Sequence, residues 1–145
     1  MKVLFVNLVY GTGSTGKIIA DIMNLLKKHG NDVKALYGTG VCSDNADAVK
    51  VSGDFGFYFH NAVSRFTDHA GLYSWAATRK MIREIRAFQP DLIHLHTLHG
   101  FYVNYEMLFR FLKEANIPVV WTLHDCWTFT GHCTHFSQVK CVQWQ

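Results

Sequence analysis

The sequence is poor in charged residues and contains no long apolar run. Only 17% of its 145 residues are charged, whereas 49% are hydrophobic. This balance excludes an intrinsically disordered chain, which combines high charge with low hydrophobicity. No apolar stretch approaches the roughly 18 residues that a membrane-spanning helix needs, so we expect no transmembrane segment. The length is sufficient for one domain with a sizeable core.

The sequence also lacks a strong charge and a secretion signal. Its formal net charge of +3 is too small to indicate a nucleic-acid partner. The opening MKVLFVNLVYG is apolar, but it has no small-residue cleavage site and leads directly into a glycine loop. Such a start indicates a first β-strand instead of a signal peptide. We therefore expect a cytoplasmic protein.

Cysteine pairs at the spacing of common zinc sites are absent. The sequence has four cysteines, which are Cys42, Cys126, Cys133 and Cys141. The last three follow the pattern C-x6-C-x7-C, without a C-x2-C step, and disulfides are not expected in a cytoplasmic chain. His132 and His135 flank Cys133, so a metal cluster remains an alternative to unpaired thiols.

Two catalytic signatures are missing as well. No G-x-S-x-G motif is present, which excludes a serine nucleophile on a strand-to-helix elbow. The three glutamates, Glu84, Glu106 and Glu114, fall in predicted helices. They leave no pair of carboxylates for glycoside hydrolysis at the edge of a sheet.

What is present is an alternation of strands and helices. Apolar runs predict strands over residues 2–8, 32–37, 49–51, 91–96 and 119–123. Helical spacing predicts a helix that Ser14 or Thr15 caps and that Gly30 ends, and further helical faces over 59–66, 75–88 and 107–115, the last capped by Asn104. The alternation indicates a parallel sheet covered by helices on both faces. No helix is predicted after the last strand.

The stretch VYGTGSTGKI, residues 9–18, imitates a triphosphate-binding loop. Gly11, Gly16 and Lys17 fit G-x-x-x-x-G-K, but the motif then needs a hydroxyl to hold magnesium. Ile18 stands at that position. The sequence therefore disfavours a magnesium-bound nucleoside triphosphate.

The same stretch also imitates a dinucleotide fingerprint, because Gly11, Gly13 and Gly16 fit G-x-G-x-x-G. That reading needs an acidic residue at the end of the second strand, to bind the ribose hydroxyls. The second strand ends in ALYG, with no acid. Two interpretations remain: a glycine-lined helix start that binds an anion through its free N–H groups, or glycines that only permit a tight turn.

Polar side chains gather where two predicted strands end. Ligands of such sheets bind at the carboxyl ends of the strands, and the polar residues expected there are His94, His96, His99, Tyr102, Asn104, His124 and Asp125. Alternation places His94 and His96 on one face. We interpret His94 as a core histidine, whereas the residues from His96 onward lie at the strand exits and are better placed for function.

In combination these segments resemble a known family. PDLIHLHTLHGFYVN, PVVWTLHDCWTFTGHC, VYGTGSTGKI and SRFTDHAGLYSWAATR are similar to the amino-terminal half of family 4 glycosyltransferases, in the bacterial branch that builds exopolysaccharide, capsule or O-antigen. The resemblance covers essentially all 145 residues. It implies the GT-B fold, in which two Rossmann-like domains face each other across a cleft, and it makes this chain the acceptor-side α/β/α domain with a mainly parallel sheet.

The resemblance also implies a division of the chain. Residues 1–123 would form the Rossmann-like domain, and residues 124–145 a cysteine-, histidine- and aromatic-rich loop region at the cleft. The carboxyl-terminal domain, which holds most of the nucleotide-sugar in this family, would follow and is missing. We therefore expect this chain alone to be inactive or nearly so.

Site roles follow from the resemblance residue by residue. Gly13, Ser14, Thr15 and Gly16 would approach the donor diphosphate. His124 would reach the transferred sugar, and Asp125 would orient His124 or bond a sugar hydroxyl. The acceptor pocket would be lined by His96, His99, Tyr102, Asn104 and Arg65. Transfer would retain anomeric configuration, with no metal and no cofactor, between a nucleotide-sugar and a glycan or lipid-linked acceptor.

Three other hypotheses remain open. The chain is alternatively an NAD(P)-binding oxidoreductase domain, or a non-catalytic module that binds sugars or anions. Separately, the helix over 74–88 carries four basic residues, Arg79, Lys80, Arg83 and Arg86. They predict either a peripheral contact with anionic lipid at the inner face of the membrane or a solvated face.

Overall fold

The computed structural model describes residues 1–40, 46–67, 71–130 and 134–135, and leaves out the side chains of residues 54, 55, 57 and 65. Five strands form one sheet: β1 Lys2–Asn7, β2 Asp32–Tyr37, β3 Ala48–Lys50, β4 Leu92–Leu95 and β5 Val119–Trp121. The helices are α1 Gly13–Lys28, α2 Asp54–Thr67, α3 Trp75–Phe88, α4 Tyr105–Ala115 and the single turn α5 Trp127–Thr130.

All strand pairs of the sheet are parallel, and the strand order is β3-β2-β1-β4-β5. In the register, Val6 lies beside Leu36 of β2 and beside Leu95 of β4. After β1 the chain adds β2 and β3 on one side of β1. It then crosses back and adds β4 and β5 on the other side. This order confirms the predicted Rossmann-like parallel sheet, and it places a switch point between the carboxyl ends of β1 and β4.

The two faces of β1 support two separate hydrophobic cores. Phe5 faces α1 and packs with a cluster that includes Ile19 and Met23, both of which are almost fully buried. Leu4 points to the other face, where the core includes residues of α3 and α4 such as Met81 and Leu108. Because successive strand residues point to opposite faces, one apolar strand contributes to both cores. The predicted three-layer α/β/α arrangement is confirmed.

Asn104 caps α4, as the sequence predicts. Its side-chain oxygen accepts a hydrogen bond from the backbone N–H of Met107 at 2.8 Å, and its amide donates to the carbonyl of Leu72. The backbone N–H of Asn104 in turn donates to the hydroxyl of Thr78 at 2.7 Å. The side chain is almost fully buried. Asn104 therefore ties α3, α4 and the segment before α3 together.

The structure corrects two details of the predicted elements. Helix α1 begins at Gly13 and has Thr12 at its N-cap position with no side-chain cap, so Ser14 and Thr15 lie inside the first turn and do not cap it. The predicted loop after β5 contains the short helix α5. Its start is stabilised locally, because the Asp125 carboxylate accepts the N–H of Trp127 at 3.0 Å and so caps the helix.

Gly38 packs closely against the ring of Tyr102, and a substitution there tests this contact. A Cβ at this position would lie 2.3 Å from Cγ of the buried Tyr102 ring. We expect Gly38→Ala to lower the free energy of unfolding by about 1–3 kcal/mol through overpacking, measured by urea unfolding. Gly53→Ala is the matched control, because a Cβ there meets nothing within 4 Å and should change stability by about 1 kcal/mol or less. Equal effects of the two substitutions would contradict this packing.

Candidate functional site

A buried asparagine joins the two sides of the switch point. Asn7 ends β1 and is only 2% exposed. Its amide donates to the carbonyl of Val9 at 2.7 Å and to the hydroxyl of Thr15 at 3.3 Å, and its oxygen accepts the N–H of Thr97 at 3.0 Å. One side chain thus fixes both the glycine loop and the exit of β4. Sequence reasoning missed Asn7, although a polar residue that ends an apolar strand is a readable signal.

The glycine loop is a tight turn that opens a helix. Gly11 and Gly13 have positive φ angles of 68° and 63°, which residues with a Cβ rarely adopt. A Cβ on Gly16 would lie 3.2 Å from the backbone nitrogen of Gly11 and from a methyl group of Val9. The turn is closed by a hydrogen bond from the N–H of Gly11 to the carbonyl of Gly16 at 3.1 Å. The glycines are therefore needed for the turn itself.

The start of α1 nevertheless has the properties of an anion site. Residues 11–14 are exposed, and the first turn contains no acidic residue and no side-chain cap. The first N–H groups of a helix have no partner within the helix, and the helix dipole is positive there. The loop can therefore place N–H donors beside a phosphate at the carboxyl edge of the sheet.

The structure brings His96 and His124 together. Nδ1 of His96 lies 2.8 Å from Nε2 of His124, and the two ring planes lie within 19° of each other with centroids 5.1 Å apart, the edge-to-edge arrangement of a hydrogen bond between ring nitrogens. His96 is only 2% exposed, and its backbone carbonyl accepts the indole N–H of Trp121 at 2.8 Å. Its side chain thus lies behind His124, in a small pocket that His99 and Trp127 also line. His124 is partly exposed.

Burial keeps the neighbouring histidines neutral. Desolvation, together with the nearby imidazoles of His94 and His124, lowers the pKa of His96 to about 3. Desolvation and the charge of His124 also lower the pKa of His94. Nε2 of His94 lies 2.8 Å from the hydroxyl of Thr122, which agrees with its interpretation as a satisfied histidine within the sheet.

A second pair lies beside the first. Nε2 of His99 lies 2.7 Å from Oδ2 of Asp125, and these side chains are 28% and 18% exposed. The other oxygen of Asp125 accepts the N–H of Trp127. Since both carboxylate oxygens are engaged there, Asp125 orients His99 and starts α5. The expectation that Asp125 orients His124 finds no contact in this arrangement.

Tyr102 does not line a pocket. The side chain is fully buried, its hydroxyl donates to the carbonyl of Thr97 at 2.8 Å, and burial raises its pKa well above the usual value. Asn104 is likewise buried as the cap of α4. These two residues lie behind the site, because their polar atoms bond the backbone that shapes it. Arg65 is part of α2, but its side chain lies outside the described residues.

The metal hypothesis stays a prediction. Cys126 is a free, partly buried thiol, whereas the other cysteines and His132 lie outside the described residues. Within the described ranges no group of three or more histidine, cysteine or acidic side chains could hold a metal ion.

Two features bear on the remaining hypotheses. The dinucleotide interpretation lacks its ribose ligand, because β2 ends at the buried Tyr37 and Gly38 then donates its N–H to Leu8.

Among the helices that the structure describes, none is both long and apolar enough to cross a membrane.

The low pKa of His96 makes stability depend on pH. The folded protein has a pKa of about 3 for His96, whereas an unperturbed histidine has a pKa of 6.5, so below pH 6.5 the unfolded chain binds a proton that the folded chain does not. The free energy of unfolding should therefore fall with decreasing pH, at about 1.4 kcal/mol per pH unit for this group. His96→Asn should flatten the slope between pH 6 and 4, measured by urea unfolding. An unchanged slope would contradict the burial of a neutral His96.

Comparison with known proteins adds a finding to this geometry. Residues 15–140 match the family described as Glycosyltransferase Family 4. Over 53 residues the chain is 36% identical to a protein of Escherichia coli (strain K12) that is named as a colanic acid biosynthesis glycosyl transferase, WcaC. That match covers 33% of this chain and 13% of the relative, so the chain spans only a small part of the relative's length. Because the family match covers most of its residues, the chain belongs to Glycosyltransferase Family 4.

Proposed function

We propose that the protein containing this chain transfers a sugar from a nucleotide-sugar to a glycan or lipid-linked acceptor in cell-surface polysaccharide synthesis. The chain supplies the acceptor-side domain of a GT-B enzyme, and the second domain, which binds most of the donor, completes the cleft. Family membership supports the reaction class. The observation that carries the site is the partly exposed His124, which is held by His96 at the same sheet edge as the glycine loop.

The glycine loop acts on the leaving group in this proposal. Breaking the bond between sugar and diphosphate develops negative charge on the phosphate oxygens. The N–H groups of residues 13–16 and the dipole of α1 would stabilise that charge, because they are already oriented before the reaction. Thr15 is additionally held by Asn7, which fixes the first turn of α1 relative to β1.

The histidines act on the sugars. The imidazole of His124 can hydrogen-bond a sugar hydroxyl and thereby orient the anomeric carbon towards the acceptor. His99 stands beside the indole of Trp127, with ring centroids 5.5 Å apart. An imidazole paired with a carboxylate, next to an aromatic face, suits the polar and apolar sides of an acceptor sugar. In the proposed reaction the transfer needs no metal and retains the anomeric configuration of the sugar.

His124→Ala tests the site in the intact protein. We expect the rate of sugar transfer to fall about 100-fold or more, the size of effect seen when one oriented donor is lost from a reaction centre. Transfer is measured in a screen of nucleotide-sugars, and circular dichroism reports the fold. His29→Ala is the matched control, because His29 is exposed and bonds only near the far end of α1. Equal rates for wild type and His124→Ala would refute the role of His124.

A second cavity is a candidate contact for the acceptor or for the membrane that carries it. A cavity of about 710 Å³ lies between the end of β3, α2 and α3. Three aromatic side chains and three basic ones line it: Phe59, Tyr73, Trp75, Arg79, Lys80 and Arg83. Such a combination suits contact with an anionic lipid surface. We therefore propose a peripheral membrane contact on this side of the domain, where a lipid-linked acceptor would lie.

The basic residues of α3 do not act as one face. Lys80 donates to the carbonyl of Lys50 at 2.8 Å. Arg86 packs over the ring of Phe111, 5.4 Å from its centroid, on the side of α4. Arg79 and Arg83 are exposed along the cavity. The membrane contact is therefore assigned to Arg79 and Arg83.

Flotation with vesicles tests this assignment. We expect Arg79→Ala combined with Arg83→Ala to lower the partition of the intact protein onto phosphatidylserine vesicles roughly 30-fold, because each basic residue near an anionic surface contributes about 1 kcal/mol. Lys28→Ala with Lys113→Ala changes the charge equally on exposed positions of α1 and α4 and should retain binding. An equal loss in both double variants would indicate an unspecific charge effect and contradict the assignment.

A further inference from the structure

His96 has one side-chain partner and one buried atom without a partner. Its Nδ1 lies 2.8 Å from Nε2 of His124. Its Nε2 is buried and has no hydrogen-bond partner in the described part of the chain. The ring lies against other rings, 4.2 Å from the centroid of His94 and 6.1 Å from that of Phe5. Such surroundings disfavour a charged imidazolium, so His96 carries a single ring proton.

That proton has two alternative positions. If it is on Nδ1, His96 donates to Nε2 of His124 and its own bare Nε2 faces the buried surroundings. If it is on Nε2, His96 accepts from His124 and leaves a buried N–H with no acceptor. Buried N–H groups without an acceptor are rarer in folded proteins than under-satisfied acceptors. The first arrangement is therefore favoured.

We propose that His96 is a positioning residue that donates its Nδ1 proton to Nε2 of His124 and so fixes the tautomer of His124. The ring of His124 then carries its proton on Nδ1, and that N–H is its only donor. The backbone holds His96 in place, because its N–H donates to the carbonyl of Val6 at 2.9 Å and its carbonyl accepts from Trp121. His96 thus acts through His124 and not on the ligand.

The fixed tautomer restricts what His124 can do. Its Nε2 lone pair is engaged by His96, so it is not free to remove a proton from an acceptor hydroxyl. Its Nδ1–H can only donate, so the ligand atom that it contacts must be an oxygen that accepts, such as a hydroxyl or ring oxygen of a sugar. This consequence rests on the proposed function, in which His124 faces the transferred sugar. His124 then orients the sugar and is not a general base.

Nitrogen-15 NMR of the intact protein, labelled at histidine, tests the tautomer without reference to activity. We expect couplings between the ring nitrogens and ring protons of His124 to show the proton on Nδ1 in the wild type. In His96→Leu a substantial fraction of His124 should move to the Nε2-protonated form, because the donor is lost. His94→Leu is the matched control, because the ring of His94 contacts that of His96 at a tilt, with centroids 4.2 Å apart, but bonds Thr122 and not His124. It should leave the tautomer of His124 unchanged.

Kinetics provide the second readout. His96→Leu should lower kcat/KM roughly three- to tenfold, the equivalent of one hydrogen bond, and His96→Asn should recover most of it, because its amide can still donate. An Nε2 proton on His124 in the wild type, or a His96→Leu variant that keeps the Nδ1 tautomer, would overturn the proposal. A fully active His124→Ala with the expected tautomer would instead refute the proposed function and leave the inference on His96 standing.

Discussion

The buried amide of Asn7 is the contact on which the candidate site depends. It lies where the chain leaves β1 for one side of the sheet, next to the point where β4 ends on the other. Because Asn7 is buried, each of its polar atoms needs a partner, and these partners lie in the glycine loop and in the backbone of Thr97. The proposed phosphate and sugar sites are therefore held at a fixed separation by the core.

The two histidines that follow β4, His96 and His99, lie in different environments. Burial behind the edge makes His96 a neutral hydrogen-bond donor with a depressed pKa. His99 has a different partner, because its Nε2 lies 2.7 Å from the carboxylate of Asp125 and both side chains are partly exposed. Two imidazoles that follow the same strand, β4, thus differ in partner: His96 bonds His124, whereas His99 bonds Asp125.

Much of the fold could be predicted from the sequence because it follows from periodicity. Buried runs such as Asp32–Tyr37 have the length of a strand, and the spacing of apolar residues in α3 and α4 is helical. The predicted N-cap of α1 was wrong by two or three residues, because glycines with positive φ and not a capping side chain set the start of the helix. The helix α5 was missed because it is a single turn whose cap, Asp125, also has a place in the site.

The site could be predicted only as far as the sheet edge. Strand alternation places His96, His99, His124 and Asp125 at that edge, but it does not specify which side chains pair. The pairing of His96 with His124 and of His99 with Asp125 depends on the lateral distance between β4 and β5. Tyr102 follows the partly exposed His99 by three residues in the sequence, yet the loop between them turns the Tyr102 side chain back into the core, where it packs against Gly38. Gly100, whose φ is 119°, marks a turn in this loop, but a single glycine does not specify which of the following side chains the turn buries.

A crystal structure of the intact protein with a bound nucleotide-sugar is the most direct measurement of the central claim. Uridine and guanosine diphosphate sugars would be soaked in parallel. The account predicts a sugar oxygen within about 3.2 Å of Nδ1 of His124, with the diphosphate facing the first turn of α1. A sugar bound away from His124, with the diphosphate remote from the glycine loop, would contradict it.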